Sequence, residues 1–331
     1  MAGTVQTELR KRLIEAFTEA GDEYLSGQHL ADIAGCSRTA VWKHIEELRK
    51  EGFVFEAVKK KGYKIVKAPE KVTPDEIGFG LKSEFIGRHI HYEEKVESTQ
   101  KIAHRLATEG AVNGTVVVAD EQTSGRGRMD RSWHSPKFSG IWMSIILRPN
   151  LPPHQAPQLT LVTAVAVVQA IEEVTGLNPQ IKWPNDILID GRKTTGILTE
   201  LQADADRIHA IIIGIGINVN QSQEDFPEEI ARIATSLLAA SGKTVSRASL
   251  MQEIFVRLEK LYLTYLNHGF QPIKLLWESY ALSLGKEIIA RTVAGDIKGK
   301  ALGITDEGVL KILQEDGEVR HVYSADIHLG E

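Results

Sequence analysis

The sequence predicts a multidomain α+β protein. It has a winged helix-turn-helix at the N-terminus, a central α+β domain with a mixed or antiparallel sheet, and a small C-terminal β-barrel. Three observations carry this. The 331 residues exceed what one core usually organises. Helical spacing dominates the start of the chain, and two short β runs about a lysine-rich turn follow it. Further on, helices and strands mix without a regular βαβ rhythm, until short β runs separated by Gly-Asp, Asp-Glu-Gly and Glu-Asp-Gly turns take over from about Lys286.

Composition narrows the class. Hydrophobic residues make up 42% and charged residues 25%, an ordinary globular balance. A net charge of -5 argues against indiscriminate coating of nucleic acid, while leaving room for local asymmetry. The single cysteine, Cys36, excludes an intrachain disulfide and a multi-cysteine zinc cluster, and fits a reducing compartment. The first residues run straight into a charged helical pattern with no signal-peptide core. The longest apolar stretch, 159–171, is interrupted by threonines and Gln169 and is too short to span a bilayer. A cytoplasmic protein is expected. Neither an internal repeat nor a low-complexity tract is present.

Taken in order, residues 7–20 place Leu9, Leu13, Ile14 and Phe17 on one side of a helix. A turn at Gly21 and Asp22 follows, and Ser26 can cap a short helix over 28–34. Gly35 ends it, and Ser37 can cap a third helix reaching Lys50. In that helix Val41, Ile45 and Leu48 share one face, with Thr39, Lys43 and Lys50 opposite. This is the helix-turn-helix plan. Strands over 53–58 and 62–66 form a wing whose tip is Lys59, Lys60 and Lys61. Residues 35–67 hold nine Lys/Arg against four Glu, so the basic charge is concentrated here. Ser37, Arg38, Thr39, Trp42, Lys43 and the three wing lysines are the candidate DNA contacts.

Residues 67–74, with two prolines and no apolar period, read as a linker. Strands are expected over 90–96, 116–120 and 141–147, with a helix between the first two running through Leu106. A mostly apolar, sandwiched helix covers 159–175. Short strands over 180–183 and 186–189 flank the Pro184-Asn185 corner, and 193–202 and 209–218 read as adjacent antiparallel strands. An amphipathic helix spans 248–266, and 277–282 follow it. The terminal barrel uses 288–291, 297–302, 309–313 and 319–323. The expected domains are 1–67, a linker 68–76, a central α+β domain 77–270 and a barrel domain 271–331.

The chemistry gathers at residues 120–133, DEQTSGRGRMDRSW. Gly125 and Gly127 alternate with Arg126 and Arg128, and Arg131 and Trp133 follow. With almost nothing apolar before Trp133, the stretch reads as a loop. Ordering about ten such residues costs on the order of 10–20 kcal/mol. A polyanion offsets part of that through arginine–phosphate bonds, so a phosphate-gripping loop that orders on its ligand is expected; a solvated basic turn has the same composition. No G-x-x-x-x-G-K-[ST] is present, and neither glycine pair completes a Rossmann fingerprint. The eleven histidines show no metal-ligand spacing. Four further groups fit a shared site: the hydroxyls of Ser98 and Thr99 at a strand end, the run Lys182-Trp183-Pro184-Asn185-Asp186, Arg192-Lys193 just before a strand containing Gly196, and the strand ending Gly214-Ile215-Gly216-Ile217-Asn218. Singly, each is as readily a cap, a turn or a bulge.

Together these motifs resemble the biotin–protein ligases, in the bifunctional form that also represses the biotin operon. GRGRxxRxW is residues 125–133, KWPND is 182–186, GRKTTGIL is 191–198, GIGINVN is 214–220, and EST is 97–99. The resemblance covers the whole chain, and the winged helix marks the repressor class. One departure is Asp130, where a small residue is usual. The resemblance implies a biotin-ligase catalytic domain and an SH3-like terminal barrel. It implies that biotin and ATP give biotinyl-5′-AMP, followed by transfer to a lysine of a carboxylase's biotin carrier domain. Mg²⁺, operator DNA and an adenylate-bound homodimer with biotinyl-AMP as corepressor are implied too. By motif, Ser98, Thr99, Gln100, Gln122, Gly125, Arg126, Gly127, Arg128 and Lys193 would bind biotin. Arg128, Arg131, Trp133, Asn185 and Asn218 would bind the adenylate. Arg126, Arg128, Lys182, Lys193 and Asp186 are the catalytic candidates. No protein-only metal site is expected, and Asp186 is the one residue placed to meet Mg²⁺.

The competing classes are a ligand-sensing winged-helix transcription factor without turnover, a lipoate ligase, and a ligase whose winged helix has lost its operator. Pyrophosphate release that requires biotin separates the first from the ligase.

Overall fold

The computed structural model describes residues 9, 12–14, 16–17, 19–21, 23–50, 53–67 and 72–329. The chain divides into two compact units, Met1–Glu70 and Lys71–Glu331.

In the first unit, residues 9, 12–14, 16–17 and 19–20 are helical. The rest of the helix expected over 7–20, and Asp22 of the turn after it, lie outside the described residues. Helix α1 (Gly27–Ala34) starts where Ser26 Oγ accepts from His29 N at 3.1 Å. Helix α2 (Arg38–Lys50) is capped in the same way, with Ser37 Oγ accepting from Ala40 N at 3.2 Å. Val41, Ile45 and Leu48 are buried with Leu13, Phe17, Leu30, Phe53 and Phe55. Strands β1 (Val54–Val58) and β2 (Gly62–Lys67) pair antiparallel as the wing. Its tip carries the three lysines, and Lys60 adopts a left-handed φ of 69°.

The second unit begins inside the expected linker. Residues 68–71 of that linker lie outside the described residues. Val72, however, is fully buried, and α3 (Pro74–Gly78) starts with a capping box between Thr73 and Glu76. The central sheet contains β3 (Ile90–Val96), β4 (Thr115–Arg126), β5 (Ser132–Ser135), β6 (Gly140–Leu147), β7 (Gln180–Lys182), β8 (Asp186–Ile189), β9 (Arg192–Ala203) and β10 (Ile208–Asn218). Its order is β3-β4-β6-β10-β9-β8-β7, with β5 paired to β4. Only β3 and β4 run parallel, so the sheet is mixed.

Helix α4 (Thr99–Thr108) covers one face of this sheet, setting Ala103 and Ala107 over Val117, Ile146, Ala210 and Ile212. The other face packs on α5 (Ala156–Thr175), which is backed by α6 (Arg247–His268) and α7 (Gln271–Tyr280). Val116 and Val118 point to this side. Helix α5 runs farther than the apolar stretch 159–171. With the turn before it, Pro153–Thr175 is long and apolar enough by length and composition to cross a membrane, but most of it is buried in the core.

The C-terminal residues form a five-stranded antiparallel sheet: β11 (Glu287–Thr292), β12 (Gly295–Ile304), β13 (Leu310–Leu313), β14 (Val319–Val322) and β15 (Asp326–Leu329). The fifth strand, absent from the pattern-based assignment, pairs with β11. Trp183 belongs to the core between the two sheets, its Nε1 donating to Gly308 O at 3.2 Å.

Candidate functional site

A stripe of glycines on the middle strands makes room for the site. Gly214 and Gly216 lie two residues apart on β10, and so on one face of the sheet. A Cβ on Gly214 would come within 2.8 Å of Gln100 Oε1, and one on Gly216 within 2.5 Å of Trp133 Nε1. Gly196, opposite Gly216 on β9, would likewise strike the Trp133 ring at 2.9 Å. Bare backbone is what lets a polar cluster and an indole lie side by side here.

The polar cluster joins three predicted residues, Thr99, Gln100 and Gln122, to two that pattern reasoning missed. Thr99 N donates to Gln122 Oε1 at 2.9 Å, and Thr99 Oγ1 lies 2.9 Å from Ser144 Oγ. Ser144 Oγ donates to Gln100 Oε1 at 2.9 Å, and Gln122 Nε2 donates to Ser135 Oγ at 3.0 Å. Ser98, 2% exposed, opens α4 without capping it through its side chain. Ser144 left one signal, as the lone hydroxyl in a strand that is buried throughout. Ser135 left none.

The segment 120–133, expected as a loop, is a hairpin. Strand β4 continues to Arg126, with Gly125 opposite Trp133 and Arg126 opposite Ser132. Backbone pairing with β5 satisfies a stretch that side-chain composition alone leaves unsupported. The glycine at 125 matters because a Cβ there would meet Trp133 O at 2.6 Å. The turn is Arg128–Asp130, and Gly127 N donates to Arg131 O at 2.7 Å. Met129 and Asp130 both take left-handed φ values, 56° and 55°, a region that aspartate enters more readily than most non-glycine residues. Asp120 is not part of the loop at all. It is fully buried, accepting from Tyr92 Oη at 2.6 Å and pairing with fully buried Arg247 at 3.1 Å.

The cations converge on the hairpin's inner side. Lys193 Nζ lies 2.7 Å from Asp186 Oδ1 and 5.3 Å from the centre of the Trp133 ring. Asp186 faces Lys182 across the β7–β8 pair. Arg128 donates to Asn185 Oδ1 at 3.0 Å and to Ser324 Oγ at 2.7 Å. Burial lowers the Arg128 pKa, while Asp186 and Asp326 oppose that shift. Arg131 is paired with Asp326, which raises the arginine's pKa and holds the carboxyl below its usual range. Ser324 and Asp326, next to and within a short strand far along the chain, gave no local signal. Arg126 is exposed. Asn218 is buried at the end of β10, its amide donating to Thr235 O at 3.2 Å and accepting from Gln221. This arrangement can hold a small polar ring against the hydroxyl cluster and an anionic, phosphate-bearing group among Arg128, Lys193 and Lys182.

In the N-terminal unit, α2 and the wing border an open groove of about 900 Å³ lined by Arg38, Thr39, Trp42, Tyr63 and the three wing lysines. Arg38, Thr39, Trp42 and Lys43 face outward, and Lys61 Nζ lies 5.7 Å over the Tyr24 ring. The Ser37 hydroxyl is the cap of α2.

Comparison with known proteins locates the same three parts. An HTH domain model matches residues 10–64, the biotin/lipoate A/B protein ligase family matches 92–218, and the biotin protein ligase C terminal domain matches 283–330. The bifunctional ligase/repressor BirA of Bacillus subtilis is 58% identical over 326 residues, covering 98% of this chain and 100% of the relative. The protein of the same name from Escherichia coli is 27% identical, covering 94% of each. A biotin protein ligase from Aquifex aeolicus, solved in complex with biotin and ATP, superposes with a TM-score of 0.64 at 35% identity, covering 73% of this chain and 99% of that one.

Proposed function

The chain belongs to the biotin/lipoate protein ligase family, among its bifunctional biotin ligase/repressors, and from that premise we propose how its residues divide the work. It is an ATP-dependent biotin–protein ligase that also carries a DNA-binding repressor domain. One observation carries the assignment of roles: the hydroxyl cluster and the cation cluster lie side by side on the glycine stripe, joined through the arginine hairpin.

Biotin's ureido ring is assigned to Ser98, Thr99, Gln100 and Gln122, with Ser144 added. Its carboxylate lies along the hairpin backbone at Gly125, Arg126, Gly127 and Arg128, near Lys193. In the first step a carboxylate oxygen attacks the α-phosphorus of ATP. The new O–P bond forms as the bond to pyrophosphate breaks, and biotinyl-AMP remains. Negative charge accumulates on the phosphorus oxygens, where Arg126, Arg128, Lys182 and Lys193 stabilise it. Trp133 closes against the adenine, and Arg131, Asn185 and Asn218 border the nucleotide. Among the described residues no three His, Cys, Asp or Glu cluster. Asp186 with the nucleotide phosphates still fits the usual Mg²⁺ pattern of one or two carboxylates plus substrate oxygens. When bound, that ion neutralises phosphate charge.

In the second step a carrier lysine attacks the acyl carbon. The N–C bond forms, AMP leaves, and the amine loses a proton. Asp186 is the assigned acceptor. Because it is the ion-pair partner of Lys193, it must exchange that partner to take a proton. Asp186→Asn, supplied with preformed biotinyl-AMP so that adenylation is bypassed, should slow carrier biotinylation; normal transfer in this variant rejects the role.

The chain is further assigned to the cytoplasm and to a homodimer formed with biotinyl-AMP bound. That dimer would present two α2 helices to a palindromic operator upstream of biotin genes. The domain division follows 1–67, 77–270 and 271–331, joined by the segment 68–76. Mass spectrometry of the protein mixed with biotin and Mg-ATP tests the site. Wild type should retain biotinyl-AMP, and Arg126→Ala/Arg128→Ala should not; equal retention overturns the assignment.

A further inference from the structure

Trp42 is 56% exposed on α2, the largest side chain the helix presents to solvent among the described residues. Its orientation is fixed by its neighbours. Val41, His44, Ile45 and Leu48 are buried and hold the inner face, so Trp42 points outward with Arg38, Thr39 and Lys43. Arg38 and Thr39 lie four and three residues earlier, within the same helical stripe. The groove between α2 and the lysine-tipped wing passes beside the indole. A large apolar ring thus sits at the centre of a face that is otherwise polar and basic.

That chemistry is a poor match for phosphate. The indole carries no charge, and its one polar group is a single N–H donor. Phosphate positioning on this unit is left to Lys59, Lys60, Lys61 and Lys43. The major groove, which an α-helix can enter, displays donors and acceptors at every base pair but only one apolar group, the C5-methyl of thymine. Resting on the assignment of this winged helix as the DNA-reading unit, we propose that Trp42 is a specificity-determining residue that reads thymine by covering its methyl group. Arg38 and Thr39, one turn earlier, then contact neighbouring base edges.

The test removes the methyl and nothing else. Random duplexes are enriched on the full chain with biotin and Mg-ATP. The selected operator is then resynthesised with deoxyuridine at each thymine in turn. At one or two positions wild type should lose about fourfold in affinity per methyl, the usual worth of one buried carbon. Trp42→Ala should bind the thymine and uridine duplexes alike, and Trp42→Phe should keep part of the discrimination. Undiminished carrier biotinylation and an unchanged melting curve report that each variant is folded. Wild type indifferent to every uridine overturns the proposal, as does the same uridine penalty in Trp42→Ala. Enrichment of no sequence at all overturns the DNA-reading assignment beneath it, and is distinguishable because methyl reading fails only after an operator has been found.

Discussion

Arg128 donates from Nη2 to Ser324 Oγ at 2.7 Å, tying the tip of the arginine hairpin to the residues just before β15. The same guanidinium holds Asn185 at 3.0 Å, so one side chain links the hairpin to both sheets. Removing the serine leaves Arg128 with one anchor. Ser324→Ala should cost about 0.5–1.5 kcal/mol of positioning, read as an increase of about two- to tenfold in the KM for ATP in a pyrophosphate-release assay. Biotin affinity measured without ATP should stay unchanged. Equal losses in both would place Ser324 in a general structural role.

Asp326 supplies a pH signature. The hydrogen bond from Arg131 holds its carboxyl below the ordinary value, although burial pulls the other way. A carboxyl whose folded value lies below its unfolded value, about 3.9, adds stability that is complete above that pH and drains away as pH falls through the folded value. Asp326→Asn and wild type should therefore differ in denaturant midpoint by a constant small amount from about pH 5 to about pH 7, and converge below about pH 4. The gap is small because the arginine is mostly solvent-exposed. A gap that persists in acid contradicts the pairing.

Gly216→Ala tests the glycine stripe. The added methyl would lie 2.5 Å from Trp133 Nε1 and 2.7 Å from Cε2, both atoms of a rigid ring. Overpacking of this kind costs about 1–3 kcal/mol. Adenylate formation should fall roughly tenfold or more, while biotin binding alone, on the Gly214 side, is retained. Unaltered pyrophosphate release would show that the indole need not sit on this backbone.

The buried pair Asp120–Arg247 is the stability test. Both side chains are fully buried, and Arg247 Nη1 also donates to Gly140 O at 3.1 Å. Arg247→Met would remove the cationic partner of the buried Asp120 carboxylate and should destabilise the catalytic unit by about 3–5 kcal/mol in urea unfolding. Asp120→Asn in the same chain should recover part of the loss. No recovery would mean that the arginine's bond to Gly140, rather than the charge pair, carries the effect.

Much of this architecture was legible in the order of residues, and the gaps have physical causes. Strands such as β6 and β10 declare themselves through apolar runs, and α2 through Ser37 and the spacing of Val41, Ile45 and Leu48. The hairpin was hidden because glycine and arginine carry no strand signal. Its support is backbone pairing with Ser132–Ser135, a partner that itself lacks an apolar run. Helix α3 was overlooked inside a proline-bearing stretch, although Thr73 and Glu76 spell a capping box. Of the site, the motif residues were readable and their partners were not. Ser324 and Asp326 reach Arg128 and Arg131 from nearly 200 positions away. No local pattern encodes a contact of that separation.

Gly196 and Gly216 carry no functional group, yet the indole of Trp133 rests against both. Every single-base change of a glycine codon that alters the residue installs something larger. A genetic screen for lost biotinylation would thus collect alleles at these two codons as readily as at the lysine and arginine codons. A map drawn from such alleles would mark them as if they performed chemistry, when what each contributes is the absence of an obstacle.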